Sequence, residues 1–473
     1  MTYPGVSGCT DGQEMLEMSI APVRWFVIAI AVLFGGVWAL VNFYHLYPFF
    51  QFFVTSTVFG SSSGVYSRLP ESIDRDRLPT IDVLLPAYKE GNVIGQSIES
   101  IRSADYPQEL LRIHVLVEPG DSETRTALER LPCPYTEIVV PDDYPGRPNK
   151  PRALNYGFEV TDSELVGIID AEDIVDSKLF LNVANALSIE GFDYVQGKID
   201  MVNEGDGWRN LVFRGEYAFW YRLLLPSFHF VGYPVPLGGT TNFFHRTVLE
   251  QASQTRVEEY GDGWSEDDRH WLSEHHLHGY VPWDPRNVTE DFELGILLWK
   301  EGHEMTLIES VTREESPIGI NAWIRQRTRW QKGKLYTFVQ YTRHPPATGS
   351  AKFHGLFQSF LPHLAPVNIV GVVVLTMVAN LLQFRVPLAV WAVLTLGVVF
   401  VVEMFAFHAG GYWLVSEEPS RRRAVRALSI PLVVPLYWVI LWGAELRAIK
   451  QLYSNQLHWE KTEHHGRNAT KDS

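Results

Sequence analysis

Cysteine is almost missing from this chain. Cys9 and Cys133 are the only two in 473 residues, which excludes a disulfide framework and a thiolate metal site and suits a reducing compartment for the soluble part. Positive charge is also in deficit. Forty Lys and Arg face 55 Asp and Glu, a net charge of −15, which argues against nucleic acid as a partner and against general adhesion to anionic surfaces. Any anionic ligand must therefore be held by a few locally placed cations. There is no internal repeat and no low-complexity tract, so a solenoid or a disordered tail is not indicated. What is abundant is apolar and aromatic side chain, 46% and 13% of the chain, enough to suggest membrane spans.

Four apolar segments carry much of that content: Trp25 to Tyr47, Leu364 to Phe384, Val386 to Val415, and Leu428 to Trp442. The first three have the ~20 residues a spanning helix needs. The fourth is short and contains Pro431 and Pro435, which predicts a kinked, re-entrant or interfacial piece. RRRAVR (Arg421 to Arg426) reads as a loop before it, cytoplasmic by the excess of basic charge. Arg447, Lys450, Lys461, Arg467 and Lys471 put the following tail on the same side, in conflict with a full fourth crossing. Asp11, Glu14 and Glu17 precede the first apolar run, which is too long for a signal core, so no cleaved signal is expected.

Between the membrane parts, residues 78–315 alternate strands and helices. TIDVLLPAY, RIHVLVEP and SELVGIID read as buried strands, and NVIGQSIESIRS has helical spacing. That alternation predicts an α/β domain with a mostly parallel sheet and ligands beyond the carboxyl ends of its strands. The remaining divisions are 1–77 (tail, first span and linker), 316–350 (interfacial helices), 351–448 (later spans) and 449–473 (tail).

Chemistry-bearing residues sit where that sheet would place them. Asp170, Glu172 and Asp173 follow an apolar strand in GIIDAED. Close carboxylates resist ionising together unless a cation lies between them, and Mg²⁺ takes one or two carboxylates plus substrate phosphates. The other reading is an acidic loop with Asp173 capping a helix. In NVTEDFELG, Glu290 and Asp291 open a helix, either as ordinary dipole-compensating acids or as a general base. NKPRALNYGF places Lys150 and Arg152 at a helix start suited to phosphate or simply to solvent. In QRTRWQKG, a helix puts Gln326, Arg329, Trp330 and Gly333 on one stripe. That stripe offers an amide, a phosphate-binding guanidinium and an indole able to stack on a sugar. Arg325 and Arg327 fall off it, toward lipid headgroups.

Taken in order, LLPAYKE, KPRALNYG, IIDAED, PLGGTTNFF, NVTED, QRTRW and HWEKTEH resemble the motifs of the membrane-bound family 2 glycosyltransferases, which include the cellulose, chitin and hyaluronan synthases. Each motif is weak alone; seven in order make the likeness specific. The resemblance implies a GT-A fold, a cytoplasmic active site on an integral protein of the cell membrane, a divalent metal (Mg²⁺ or Mn²⁺) and inverting transfer from a nucleotide sugar, usually a UDP-sugar. By position, it implies that Asp170 and Glu172 hold the metal and that Ala87, Tyr88, Glu90 and Glu118 line the base site. Lys150, Arg152, Gln326 and Arg329 would meet the diphosphate. Gly239, Thr240, Asn242, Glu290 and Trp330 would face the acceptor, and Asp291 would take its proton. The acceptor would be a glycan or a lipid-linked sugar. Three or four spans are few for a polymer channel, which points to single transfer onto a polyprenyl-phosphate-linked sugar or glycolipid or to a homo-oligomer, while the Q-x-x-R-W signature points to processive polysaccharide synthesis; a scaffold or sugar-nucleotide sensor is the non-catalytic alternative. Glu118 and Glu172 stand where many members have aspartate. The stretch 251–282, acidic and bearing His270, His275, His276 and His278, is expected to be a solvated lid or surface rather than a metal site.

Overall fold

A computed structural model of the chain describes residues 65–70, 73–202, 207–260, 265–317, 319–344, 348–360 and 405–454, with residues 46–55 and scattered positions between 22 and 44 and at 363, 398 and 402. The segments Leu364 to Phe384, nearly all of Val386 to Met404, much of Trp25 to Tyr47, and the HWEKTEH tail lie outside the described residues. The chain divides into two compact units, Met1–Leu46 with Leu361–Met404, and Tyr47–Phe360 with Phe405–Ser473. Everything that follows concerns the second.

Its centre is an eight-stranded sheet. The strands are β1 (Tyr66–Ser67), β2 (Ile81–Ala87), β3 (Leu111–Val117), β4 (Thr136–Val139), β5 (Leu165–Ile168), β6 (Tyr194–Met201), β7 (Asn242–His245) and β8 (Met305–Glu314). They lie in the order β1-β8-β6-β7-β5-β2-β3-β4. All neighbours are parallel except β7, which runs antiparallel between β5 and β6. The predicted mostly parallel sheet is therefore present. Ile81, Val83, Leu84 and Leu85 are wholly buried, the near-continuous apolar run expected of a strand covered on both faces.

Among its helices are α1 (Ile94–Arg102), α2 (Ser122–Leu128), α3 (Lys150–Glu159), α4 (Leu179–Ala184), α5 (Trp208–Phe219), α6 (Arg246–Tyr260), α7 (Glu266–Glu274), α8 (Glu290–Glu301), α9 (Ile320–Arg343), α10 (Gly349–Ser359) and α11 (Ser420–Tyr453). In α1, Ile94, Ile98 and Ile101 form the buried stripe that the spacing of NVIGQSIESIRS predicts. Asn149 caps α3 by accepting from the Arg152 amide at 2.9 Å, with Pro151 in the first turn. Gly302 ends α8 in the left-handed region, φ 86°, where a side chain would be strained.

The C-terminal apolar segment differs from expectation. Leu428 to Trp442 is the middle of α11, a continuous 34-residue helix that runs through Pro431 and Pro435. RRRAVR forms its first turns instead of a loop. Packing against α9 and α5 sustains the helix: Ile430, Val434 and Tyr437 are buried with Val212 and Trp323, and tertiary burial outweighs the local cost of proline. At roughly 50 Å it exceeds a ~30 Å hydrocarbon core. Among the described residues it is the one helix long and apolar enough to cross a membrane.

Candidate active site

The carboxyl ends of β2, β3, β5 and β8 open onto a cavity of about 700 Å³. It is walled on its other side by the loop before β7, the start of α8 and one face of α9. Fourteen of the sixteen residues singled out from sequence line it: Ala87, Tyr88, Glu90, Glu118, Lys150, Asp170, Glu172, Gly239, Thr240, Glu290, Asp291, Gln326, Arg329 and Trp330. Arg152 and Asn242 are not brought to its surface.

At one end, Ala87 closes β2 and Tyr88 stands half exposed. The loop behind them is pinned by the start of α2, where Asp121 accepts from the Lys89 amide at 2.7 Å and Thr124 Oγ1 from the Glu90 amide at 2.9 Å. Glu118, just past β3, is gripped by both of its oxygens, each 3.0 Å from Arg152 Nη1. Arg152 also donates to the carbonyls of Pro141 and Tyr144 at 2.7 and 2.8 Å. Its guanidinium is thus spent on holding Glu118 and the 141–144 turn. The diphosphate contact implied for Arg152 is not available in this arrangement, and its place is that of a brace. Burial raises the Glu118 pKa above the usual carboxylate range, with Asp142 adding to it and Arg152 opposing.

In the middle of the cavity the acids crowd together. β5 ends at Ile168, and Asp170 to Asp173 form a turn closed by the Asp173 amide on the Asp170 carbonyl, 3.1 Å. Asp173 caps no helix. It is fully buried, accepts from Thr240 Oγ1, and thereby ties the DAED turn to the GGTT loop. Thr240 Oγ1 in turn accepts from the Asp170 amide at 3.1 Å. Gln196 of β6 holds the same loop from below, with its Nε2 3.0 Å from the Thr240 carbonyl and its Oε1 2.8 Å from the Gly238 amide. Asn242 acts similarly: its Nδ2 donates to the Gly238 carbonyl at 2.6 Å.

Lys150 is the cation among these acids. It donates to an Asp170 oxygen and, at 2.6 Å, to the Gly239 carbonyl. Burial alone would lower its pKa; Asp170 first, then Glu290, raise it overall, so the amine is held charged. Gly239 marks the point of convergence. A Cβ placed there would lie 3.4 Å from Lys150 Nζ and 3.6 Å from both Asp170 Oδ2 and Asp291 Oδ2. Residues 121 positions apart thus face one small volume.

Asp291 and Glu290 sit in the first turn of α8. Burial pushes both carboxyls up, Glu290 to about 7 with the Asp291 charge as the second cause. Lys150 and Arg329 oppose the rise at both. The start of α8 is fixed by α9: Asn287 Nδ2 donates to Thr337 Oγ1 at 2.9 Å. Gly333 packs so closely on Thr289 that a Cβ there would stand 2.2 Å from Thr289 Oγ1. Gly333→Ala is therefore expected to cost ~1–3 kcal/mol of stability through overpacking, read as a lower unfolding midpoint in detergent; an unchanged midpoint would show that α9 does not press on the Thr289 turn.

Arg327 overturns an expectation. It points inward, 5% exposed, and grips Glu216 of α5 through two bonds of 2.8 and 2.7 Å. Tyr437 of α11 joins them, accepting from Arg327 at 2.7 Å and donating to Glu216 at 2.6 Å. The guanidinium lies 4.6 Å from the Trp330 and Phe213 ring centres. One turn of α9 thus sends Gln326, Arg327, Arg329 and Trp330 all to the cavity wall, a wider face than the single stripe the spacing suggests.

Glu216, Tyr217, Trp220, Tyr221, Glu314 and Lys334 also line the cavity and were not found by sequence reasoning. Glu314 could have been: it ends β8, so the rule that polar groups gather at strand carboxyl ends applies to it. Its pKa is raised well above the usual value by burial, then by Glu172 and Asp170. α5 gave no such signal, because WRNLVFRGEYAF reads as an ordinary amphipathic helix.

The stretch 251–282 is more than a surface lid. Arg256 of α6 is buried and pairs with Glu293 of α8 at 2.6 Å. Trp271 of α7 donates to Asp143 at 2.7 Å and packs edge-on to Tyr144. It thus supports both the helix carrying Asp291 and the turn that Arg152 braces.

Comparisons with known proteins bear on the family and the fold. A model described as "Glycosyltransferase like family 2" matches residues 79–333, more than half of the chain. The chain belongs to that family. Among curated family 2 relatives, it is 23% identical over 269 residues to the probable glycosyltransferase YdaM of Bacillus subtilis, covering 56% of this chain and 57% of the relative. It is 23% identical over 270 residues to the beta-monoglucosyldiacylglycerol synthase of a Synechocystis strain, covering 56% and 50%. The chain thus spans about half the length of the curated relatives it matches. The mannosyltransferase PcManGT from Pyrobaculum calidifontis, solved with GDP-Man and Mn²⁺, superposes with a TM-score of 0.50 at 15% identity over 89% of this chain and 99% of that one. That likeness establishes a GT-A-like α/β fold for this family member.

Proposed function

We propose that this protein is an inverting, divalent-metal-dependent glycosyltransferase that moves a sugar from a nucleotide sugar to a hydroxyl of a lipid-linked or glycolipid acceptor at the cytoplasmic face of the cell membrane. The single observation that carries this reading is the convergence of Lys150, Asp170 and Asp291 around Gly239 within one cavity. On this reading the nucleoside lies at the Tyr88, Glu90 and Glu118 end, and its diphosphate reaches Lys150 and Arg329. Both cations stabilise the charge that builds on the leaving nucleotide, commonly the largest catalytic contribution.

The donor set fits a hard cation. Asp170 and Glu172 offer carboxylate oxygens beside the further carboxyls of Asp173 and Glu314, and among the described residues no soft ligand lines the cavity. Among the described residues no three His, Cys, Asp or Glu side chains are arranged to hold a metal by themselves. A Mg²⁺ or Mn²⁺ at Asp170 and Glu172 would complete its shell with substrate oxygens; it would supply neutralisation of the diphosphate. Asp291 takes the proton of the attacking acceptor hydroxyl as its oxygen bonds to the anomeric carbon and the bond to the diphosphate breaks. One base and no enzyme nucleophile give inversion, hence a β-link from an α-linked donor.

Single transfer is favoured over polymer synthesis because a matched relative is named for a monoglucosyl lipid product. The non-catalytic alternative leaves unexplained why base, cations and acids share one wall. The experiment is a screen of UDP- and GDP-sugars with membranes holding the full chain, with Mg²⁺, Mn²⁺ or chelator. Metal-dependent release of the nucleoside diphosphate is expected; none with any donor would refute the reading. Because burial raises Asp291, and a base works only when deprotonated, kcat/KM should rise with pH through an acid limb above the ordinary aspartate range near 4. A limb at or below 4 would place the base elsewhere.

A further inference from the structure

Lys334 has no place in the chemistry above. It lies one helical turn beyond Trp330 on α9, lines the same cavity, and is half-buried. Its ammonium stands 5.8 Å from the Trp220 ring centre and 5.6 Å from that of Phe292. Among the described residues it makes no hydrogen bond and no ion pair. The carboxylates that act on it, Glu216, Glu445 and Asp291, do so from beyond bonding reach. Glu216 is already committed to Arg327 and Tyr437. Burial, then the Arg327 charge, lower the Lys334 pKa, as they must for a cation set among rings beside another cation. Leaving a charge unpaired in such surroundings is costly. An anion arriving there would recover that cost.

The position says which molecule brings the anion. Trp330, Tyr217 and Tyr221 make a run of ring contacts in the cavity wall, Trp220 lines the same cavity, and Tyr221 lies near enough to Asp291 to feel its charge. A sugar resting on Trp330 with its hydroxyl at Asp291 would direct its next substituent along α9, about 5.4 Å per turn, toward Lys334. We propose that Lys334 recognises an oxyanion on the acceptor, a phosphate diester or a carboxylate lying within one sugar unit of the attacking hydroxyl. This deepens the proposed function and rests on it. It separates this protein from an enzyme for neutral lipids, for which an unpaired ammonium at this point would be a liability.

The test is binding by the purified full chain, with a saturating nucleoside diphosphate and Mn²⁺ filling the donor half. The probes are three farnesyl lipids: farnesyl glucosyl phosphate, farnesyl glucuronide and neutral farnesyl glucoside. At least one anionic probe should bind about tenfold more tightly than the neutral one, the order of a charge-assisted hydrogen bond. The phosphate and carboxylate arms tell the two sources apart. Lys334→Met should bring the anionic probe down to the affinity of the neutral one, and Lys334→Arg should keep the preference, which a folding defect would not. Equal affinity for all three probes in the parent protein, or a preference that survives Lys334→Met, would overturn the proposal. Donor hydrolysis in the same preparation reads the proposed function separately: hydrolysis without anion preference defeats this inference alone, and no hydrolysis defeats the transferase reading.

Discussion

Asp291→Asn is expected to lower kcat by ~10²–10⁴-fold, the usual contribution of a general base, while donor affinity stays within a few fold. Asparagine keeps the shape of the first turn of α8, so Gly333 and Thr289 still pack and the Asn287 bond to Thr337 remains. What is lost is the acceptor of the proton. The substitution also removes the second cause of the raised Glu290 pKa, the Asp291 charge. Glu290 should therefore titrate below its present value of about 7 in the variant. Product formation from labelled donor, measured beside equilibrium donor binding, checks both halves. Full turnover in Asp291→Asn would remove Asp291 as base and leave Glu290, its buried neighbour, as the alternative.

Arg327→Met is expected to destabilise the protein by about 2–3 kcal/mol. Removing one partner of a fully buried pair typically costs ~3–5 kcal/mol, and Glu216 escapes part of that because it borders the cavity. The loss should exceed that of Tyr437→Phe, which removes one hydroxyl and leaves the two-bond pair between Arg327 and Glu216 intact. The same change frees the Trp330 ring from the guanidinium 4.6 Å away, so any activity that survives should show a higher acceptor KM with donor hydrolysis less affected. Thermal unfolding in detergent and paired kinetics for the two variants decide this. Equal stability of Arg327→Met and the parent would mean that the pair contributes nothing.

These two positions also mark where reading the sequence succeeds and where it stops. The place of Asp291, at a helix start on the cavity wall, was legible because a strand-helix alternation and an acidic helix start are local features, and order along the chain supplied the likeness. The same holds for Asp170 at the end of an apolar strand and for the i, i+3, i+4 relation of Gln326, Arg329 and Trp330. Local spacing fixes which residues share a strand end or a helix face, since backbone geometry sets both periods.

Arg152, Arg327 and Lys334 are a guanidinium pair and an amine that look alike in sequence, and their roles were decided by distant neighbours. Arg152 meets Glu118 and the Tyr144 carbonyl, Arg327 meets Glu216 and Tyr437, and Lys334, among the described residues, meets only rings. The worth of a charge depends on burial and on the partner that long-range packing delivers, and neither is encoded within a few residues of it. By itself the sequence determined the family, the sheet and the chemical types at the strand ends. The tertiary structure alone decided which of these cations are paired within the protein and which face the cavity without such a partner among the described residues, because only the closed fold removes water and chooses each charge's counter-ion.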